Sequence, residues 1–208
     1  MYLFSKTATI HPDHVQLAIG FSLEAAAHAS KVTGKPIATW STVYGGSLAG
    51  VGWSMRIDSL AENGELLAKL EADRNYANLV ASARGYFEGP VEDSVSQILT
   101  AHGDGNIGNY VQLTQAQCAP GRIAEAMAWG ADMSALVFKL TGLNSSMVRS
   151  MFGPWAQLGW ITNAETLADV DRANDATSAD PEYIERIDQG GELFVVGSAS
   201  SRLLRKIG

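Results

Sequence analysis

Apolar residues recur at helical spacing in two places along the chain. In the first place they are Ala18, Phe21, Ala25, Ala29 and Val32. Intervals of three and four residues put these side chains on one face, which predicts a helix that buries that face. The same spacing returns 108 residues later, at Ala126, Trp129, Met133, Val137 and Leu140. The two stretches share little identity, yet they predict equivalent helices.

The whole chain repeats itself in the same way. Tyr2 falls on Tyr110 at an offset of 108 residues, and beyond the first Gly-rich turn the offset becomes 107, where Trp53 falls on Trp160. A repeat of this length predicts two copies of one structural unit, each of ordinary domain size. We call them the first and the second repeat.

A short segment separates the two repeats. Residues 101–109 contain three glycines and show no apolar periodicity, which is typical of a linker. We therefore expect a first unit at residues 1–100 and a second unit at residues 110–208.

Within each repeat the hydrophobic pattern predicts the order strand, helix, strand, strand, helix, strand. In the first repeat these elements fall at residues 2–10, 12–32, 37–44, 50–57, 60–82 and 95–99. In the second repeat the later elements fall at residues 146–152, 158–164, 167–189 and 195–200, with a helix break at Asp180-Pro181. This order is the ferredoxin-like βαββαβ pattern. Several strands are apolar on both faces, which indicates sheets covered on both sides. The expected fold class is α+β, with two tandem ferredoxin-like units whose antiparallel sheets pack face to face as a pseudo-symmetric α/β barrel.

The layout resembles the dimeric α/β-barrel superfamily. The segment Asp180-Pro181-Glu182-Tyr183 is similar to an element of NIPSNAP-like members, and Asp73-Arg74-Asn75-Tyr76 is a degraded version of it in the first repeat. The resemblance implies a tandem fusion of two such units. The superfamily includes cofactor-free monooxygenases of aromatic polyketides, haem enzymes and isomerases, so fold alone does not choose among activities.

Composition and charge limit the partners. The chain has 22 acidic and 15 basic residues, a formal net charge of −7, which argues against binding nucleic acid or an anionic membrane surface. No apolar run has the length of a membrane span, and the N-terminus lacks the features of a signal peptide. The single cysteine, Cys118, aligns with Ile10, so we expect a buried structural thiol in a cytoplasmic protein.

Metal and cofactor sites are not expected. His11 and His14 lie one turn apart, but a third ligand is missing and the nearest candidate, His28, is four turns away. The resembling two-repeat haem enzymes take their iron ligand from a histidine of the second unit, and this chain has no histidine after His102. The glycines at residues 45–50 lack the Lys-Ser/Thr of a phosphate loop and fit a hairpin turn.

Aromatic and basic residues on the hairpin strands are the candidate ligand contacts. Trp40, Tyr44, Trp53 and Trp160 could line an apolar pocket between the sheets, or they could simply fill the core. Arg56 and Arg149 have no basic counterpart in the other repeat and would suit a carboxylate or phenolate, or else they face outward. No catalytic residue can be nominated.

Two functions remain open. In the first, the barrel binds a small apolar or aromatic molecule between its sheets and could transform it as a cofactor-free monooxygenase or isomerase. In the second, side chains fill the barrel and the chain is a non-catalytic scaffold or assembly module. A homodimer is compatible with either function. A cavity of a few hundred cubic ångströms would favour the first, and a solid core the second.

Overall fold

The computed structural model describes residues 1–47 and 49–208, and both repeats follow the predicted element order. The first repeat contains β1 (Tyr2–Ile10), α1 (Val15–Thr33), β2 (Ala38–Tyr44), β3 (Gly50–Ile57), α2 (Leu60–Ala72), α3 (Arg74–Ser82) and β4 (Phe87–His102). The second contains β5 (Tyr110–Gln117), α4 (Ile123–Thr141), β6 (Ser145–Phe152), β7 (Gln157–Ala164), α5 (Leu167–Ala179), α6 (Pro181–Gly190) and β8 (Ser200–Lys206). The α+β class and the tandem ferredoxin-like architecture are confirmed.

The strands have the hydrogen-bonded order β1-β3-β2-β8-β5-β7-β6-β4, which closes on itself as a barrel. By internal contacts the chain forms two compact units. Unit 1 consists of Met1–Val95 with Arg205–Gly208, and unit 2 of Ser96–Leu204. Both β4 and β8 therefore contribute residues to two units. The compact units are defined differently from the sequence repeats, whose boundary at residues 101–109 stays a prediction.

The two units build the centre of their sheets in the same register. In unit 1, β3 pairs antiparallel with β1 and with β2, and Tyr2 lies opposite Ile57. In unit 2, β7 pairs in the same way with β5 and β6, and Tyr110 lies opposite Ala164. The repeat seen in the sequence is thus kept residue by residue in the strand pairing.

Specific capping residues end the helices. The first helix and its counterpart in the second repeat both have 19 residues, and they end at Gly34 and Gly142, which adopt left-handed backbone angles. The later helical segment is broken in both repeats, although the sequence predicted a break only at Asp180. In the first repeat Asp73 ends α2 with an extended backbone, and its carboxylate accepts a hydrogen bond from the Tyr76 N–H at 2.7 Å. An aspartate cap therefore stops the helix without a proline.

The last strands differ from the prediction. Strand β4 is much longer than residues 95–99, and β8 begins only at Ser200. The predicted strand at residues 195–200 is wrong because Gly197 has a φ of 79° and the chain turns there. The Ser198 hydroxyl accepts a hydrogen bond from the Gln117 N–H at 3.1 Å and ties this turn to β5.

One cluster of buried side chains forms a core of unit 2. It contains Cys118, Ala126, Met147, Leu158 and Leu193. Burial raises the pKa of the Cys118 thiol, which fits the predicted structural role. The backbone of Cys118 forms an isolated antiparallel β-bridge with that of Phe194, so the cysteine lies beside the start of residues 194–199.

We expect Leu158→Ala to destabilise the protein by about 2–5 kcal/mol, because the side chain is 1% exposed and its loss leaves a cavity in the core. Leu167→Ala is the control, since Leu167 is 42% exposed and its loss should change stability by less than about 0.5 kcal/mol. Urea unfolding followed by circular dichroism measures both. Equal destabilisation by the two variants would contradict the assigned core.

The N-terminus of α5 has a capping box that depends on pH. The Thr166 side chain accepts a hydrogen bond from the Asp169 N–H, and the Asp169 carboxylate accepts one each from the Thr166 hydroxyl and N–H. These hydrogen bonds, with a smaller contribution from Arg172, hold the pKa of Asp169 below its usual value. The stabilisation is therefore complete above the ordinary pKa of about 3.9 and is lost as pH falls through the lower folded pKa.

We expect Asp169→Asn to flatten the fall of unfolding free energy between about pH 5 and pH 2, because the substituted side chain no longer titrates. Asp171→Asn makes the same charge change at an exposed position of the same helix and is the control. Denaturant unfolding at a series of pH values measures the slope. A slope that Asp171→Asn changes as much as Asp169→Asn would refute this account.

Candidate functional site

Unit 2 contains a cavity of about 400 Å³ between its sheet and its helices. The sheet wall consists of Gln112, Thr114 and Ala116 on β5, Ser145 on β6, and Trp160 and Thr162 on β7. Side chains two residues apart on a strand point to the same face, so these residues form one continuous surface. We expected a pocket between two sheets, whereas this one lies between a sheet and the helices packed on it.

The helices supply the opposite wall. Met133, Val137 and Thr141 of α4 line the cavity at intervals of four residues, which places them on one helix face. Ala173, Asn174 and Thr177 of α5 and Tyr183 and Ile187 of α6 complete this wall. Residues 194–197, which turn at Gly197, form part of the rim.

Three rings meet edge to face at one side of the cavity. Trp129, Trp160 and Phe194 have ring centroids 5.4–5.8 Å apart, a favourable geometry for aromatic groups. Each indole N–H is already bonded: Trp129 donates to the Arg186 carbonyl at 2.8 Å, and Trp160 to the Gly130 carbonyl at 3.0 Å. These bonds fix the orientation of both indoles, so the rings form an aromatic wall with a defined shape.

Several polar groups in the lining are available to a ligand. Among the described residues, the side chains of Gln112, Asn174 and Tyr183 make no hydrogen bond, while Ser145 is paired with Ser134 at 3.0 Å. The two amides can each donate and accept. The cavity thus combines an aromatic wall with a few open hydrogen-bonding groups, the usual composition of a small-molecule site.

The lining carries no charged side chain in the described part of the chain. Tyr183 is its main ionisable group, and burial raises the pKa of the phenol, which stays protonated at neutral pH. A charged ligand would lose its hydration without gaining an ionic partner, which is costly. The electrostatics therefore suit an uncharged molecule.

The chain is similar in fold to several solved structures, although its sequence matches no known family. No protein-family model and no curated protein matches the sequence. A candidate monooxygenase from Fusobacterium nucleatum subsp. nucleatum matches with a TM-score of 0.74 at 8% identity, over 100% of this chain and 92% of that one. An anthrone oxidase-like protein matches with a TM-score of 0.70 at 14% identity, over 100% and 91%. A candidate monooxygenase from Lactobacillus acidophilus NCFM gives 0.66 at 12%, over 99% and 93%.

The fold is the dimeric α/β barrel. The barrel fold predicted from the sequence is thereby confirmed, and the NIPSNAP-like branch stays a prediction. At these identities a dimeric α/β barrel can carry unrelated activities, so the likeness establishes architecture alone.

Of the predicted aromatic contacts, Trp160 lines the cavity of this α/β barrel chain. Trp53 is its counterpart in unit 1, where its indole N–H donates to the Ser22 carbonyl at 3.1 Å. Trp40 is buried and donates to the Ser54 hydroxyl at 2.9 Å. The role of Trp40 and Trp53 as ligand contacts stays a prediction.

The remaining predicted residues lie outside this cavity lining. Tyr44 is 67% exposed, and Arg56 is exposed near the C-terminal end of β3. Arg149 donates to the Gln97 side chain at 3.1 Å. Sequence reasoning did not select Gln112 or Asn174; the signal that could have found Gln112 is the change from an apolar Phe4 at the equivalent position of the first repeat.

The described residues contain no group of three or more histidines, cysteines or carboxylates that could hold a metal ion. His11 and His14 do lie together, with ring centroids 5.4 Å apart, beside Tyr86. None of the described helices is long and apolar enough to cross a membrane.

Proposed function

We propose that the chain binds a small, uncharged apolar or aromatic molecule in the cavity of unit 2. The observation that carries this proposal is a cavity of about 400 Å³ bounded by the aromatic wall and by the amides of Gln112 and Asn174, which make no hydrogen bond among the described residues. Known ligand pockets span about 300–1,000 Å³ and combine apolar lining with a few directed polar groups. A void of this size, if filled with water, would hold about a dozen molecules at the liquid volume of about 30 Å³ each. Their release by an apolar ligand would favour binding.

The ligand that fits carries an apolar ring system and one or two neutral polar substituents. A flat ring could stack on or abut Trp129 and Trp160, whose orientation is already fixed. Hydroxyl or carbonyl groups could pair with the amides of Gln112 or Asn174. A carboxylate is disfavoured here, because Arg56 and Arg149 are not among the lining residues.

Catalysis, as a monooxygenase or isomerase, is a narrower form of the same proposal. Burial raises the pKa of the Tyr183 phenol, so it stays protonated at neutral pH and could donate a hydrogen bond, but it could not serve as a base. The described lining offers no aspartate, glutamate or histidine as an alternative base. Binding is therefore the better supported function.

An assembly role is the second candidate, and one surface favours it. Phe152 and Trp155, at the turn between β6 and β7, are 59% and 81% exposed. Large exposed apolar side chains of this kind are common at protein contacts, including homodimers. Native mass spectrometry would detect a dimer that Trp155→Ala abolishes. A scaffold of this kind has no need of the cavity, which is why we rank it second.

We expect N-phenyl-1-naphthylamine, a neutral aromatic probe that brightens in apolar surroundings, to bind the protein saturably. Thr177→Leu should weaken binding at least tenfold, because the larger side chain occupies the cavity from α5. Thr177→Ser keeps the size nearly unchanged and is the matched control. Fluorescence titration measures all three proteins, with Trp quenching as a second signal.

Two outcomes would count against the proposal. One is absence of saturable binding to the folded wild-type protein. The other is equal affinity of the wild-type and Thr177→Leu proteins, which would place the probe elsewhere.

A further inference from the structure

Unit 1 has the equivalent helix–sheet interface, but larger side chains occupy several positions of its sheet and of α2. Three aligned pairs show the difference: Met55 with Thr162, Leu66 with Ala173, and Leu70 with Thr177. In each pair the unit 1 residue is buried, and the unit 2 residue lines the cavity. The change lies in the side chains, since both strands and both helices are present in each unit.

The strand pairing supports the equivalence of Met55 and Thr162, while the two helix pairs follow from the sequence alignment. Phe4 lies opposite Met55 in unit 1, and Gln112 lies opposite Thr162 in unit 2. On the neighbouring strand, Ser145 is also opposite Thr162, and its aligned counterpart in unit 1 is Ile37. A row of three apolar side chains across the first sheet has therefore become a row of three small or polar ones.

The row in unit 1 is part of a continuous core. Met55 and Leu66 are 5% and 4% exposed and pack with Ile57, and both Phe4 and Ile37 lie against this cluster. Leu70, one turn further along α2, is also buried. These side chains occupy the positions whose unit 2 counterparts are small or polar.

The aromatic wall, in contrast, is kept in both units. Trp53 meets Phe87 edge to face at 6.1 Å, as Trp160 meets Phe194 at 5.8 Å. Each indole donates to the equivalent helix carbonyl, that of Ser22 in unit 1 and that of Gly130 in unit 2. The Trp–Phe pair of the aromatic wall is thus present in both units.

The helix that faces the sheet changes in the opposite direction. Met133 and Val137 of α4 replace the smaller Ala25 and Ala29 of α1. The cavity therefore does not reflect a general loss of volume in unit 2. It comes from the strand row and from α5.

We propose that five positions restrict binding to unit 2 and that unit 1 holds a closed copy of the same site. The closing side chains are Phe4, Ile37, Met55, Leu66 and Leu70. Removing part of this set opens a second site for an uncharged apolar or aromatic ligand, because the wall formed by Trp53 and Phe87 is already in place. The ligand class rests on the function proposed above, whereas the closed copy rests on packing alone.

Opening unit 1 is the first half of the test. Leu66→Ala/Leu70→Thr installs the unit 2 residues in unit 1, and Leu66→Ala alone is made as the milder variant, because large-to-small changes destabilise cores. Crystals under xenon pressure report open apolar cavities without any ligand assumption. We expect xenon in unit 2 of the wild-type protein and in both units of the opened variants. We also expect the probe stoichiometry to rise from one to two per chain.

Closing unit 2 is the second half and does not depend on a destabilised protein. Thr162→Met/Ala173→Leu/Thr177→Leu installs the unit 1 residues in unit 2. We expect this variant to fold, to exclude xenon from unit 2 and to lose probe binding. Leu167→Ala, exposed on the same helix, is the control and should retain both.

The readouts separate the two proposals. Xenon in unit 2 of the wild-type protein without any probe binding would refute the proposed function and leave the closed copy intact. The closed copy is overturned if a folded opened variant takes up xenon only in unit 2, or if the closing variant still admits xenon there.

Discussion

The separation between sheet and helices is the constraint on which the rest of this structure depends. Both units share one backbone frame: the register places Tyr2 opposite Ile57 and Tyr110 opposite Ala164, and the 19-residue helices end at left-handed glycines. Protein interiors are packed as densely as organic crystals, so an interface held at this separation must be filled by side chains or by something else. Side-chain volume at a few positions then decides whether the interface between sheet and helices is filled or leaves a cavity for a ligand.

An open interface carries a cost that a ligand can offset. Residual cavities destabilise in proportion to their volume, because the surrounding frame relaxes only in part. A molecule that binds the folded chain alone returns stability by mass action. Aromatic rings already locked by indole hydrogen bonds, as at Trp160, lose little further freedom on binding, which favours affinity. Stability and recognition in unit 2 are thus two aspects of the same packing arrangement.

The sequence predicted most of the architecture, because helix stripes, caps and turns depend on nearby residues. It predicted the stripe beginning at Ala18, the stop at Gly34 and the buried Cys118. It failed at Val195-Val196, where β propensity was outweighed by the left-handed Gly197, and Val196 is almost fully exposed. The sequence did not predict the position of the cavity, because that position depends on which strand residues face which helix, and this is a tertiary property. Of the predicted contacts, Trp160 is the one found in the lining.

The reactivity of the single thiol, Cys118, reports local opening of unit 2. Cys118 is 4% exposed and lies in the same buried cluster as Leu158. Its backbone pairs in a β-bridge with Phe194, which lines the cavity. An alkylating reagent needs the thiolate and needs access, so the folded chain protects this sulfur twice. The rate of alkylation therefore counts how often this part of the unit opens. A ligand in contact with Phe194 would slow this alkylation. The rate at Cys118 would then report how much of the cavity is occupied, without a label on the ligand.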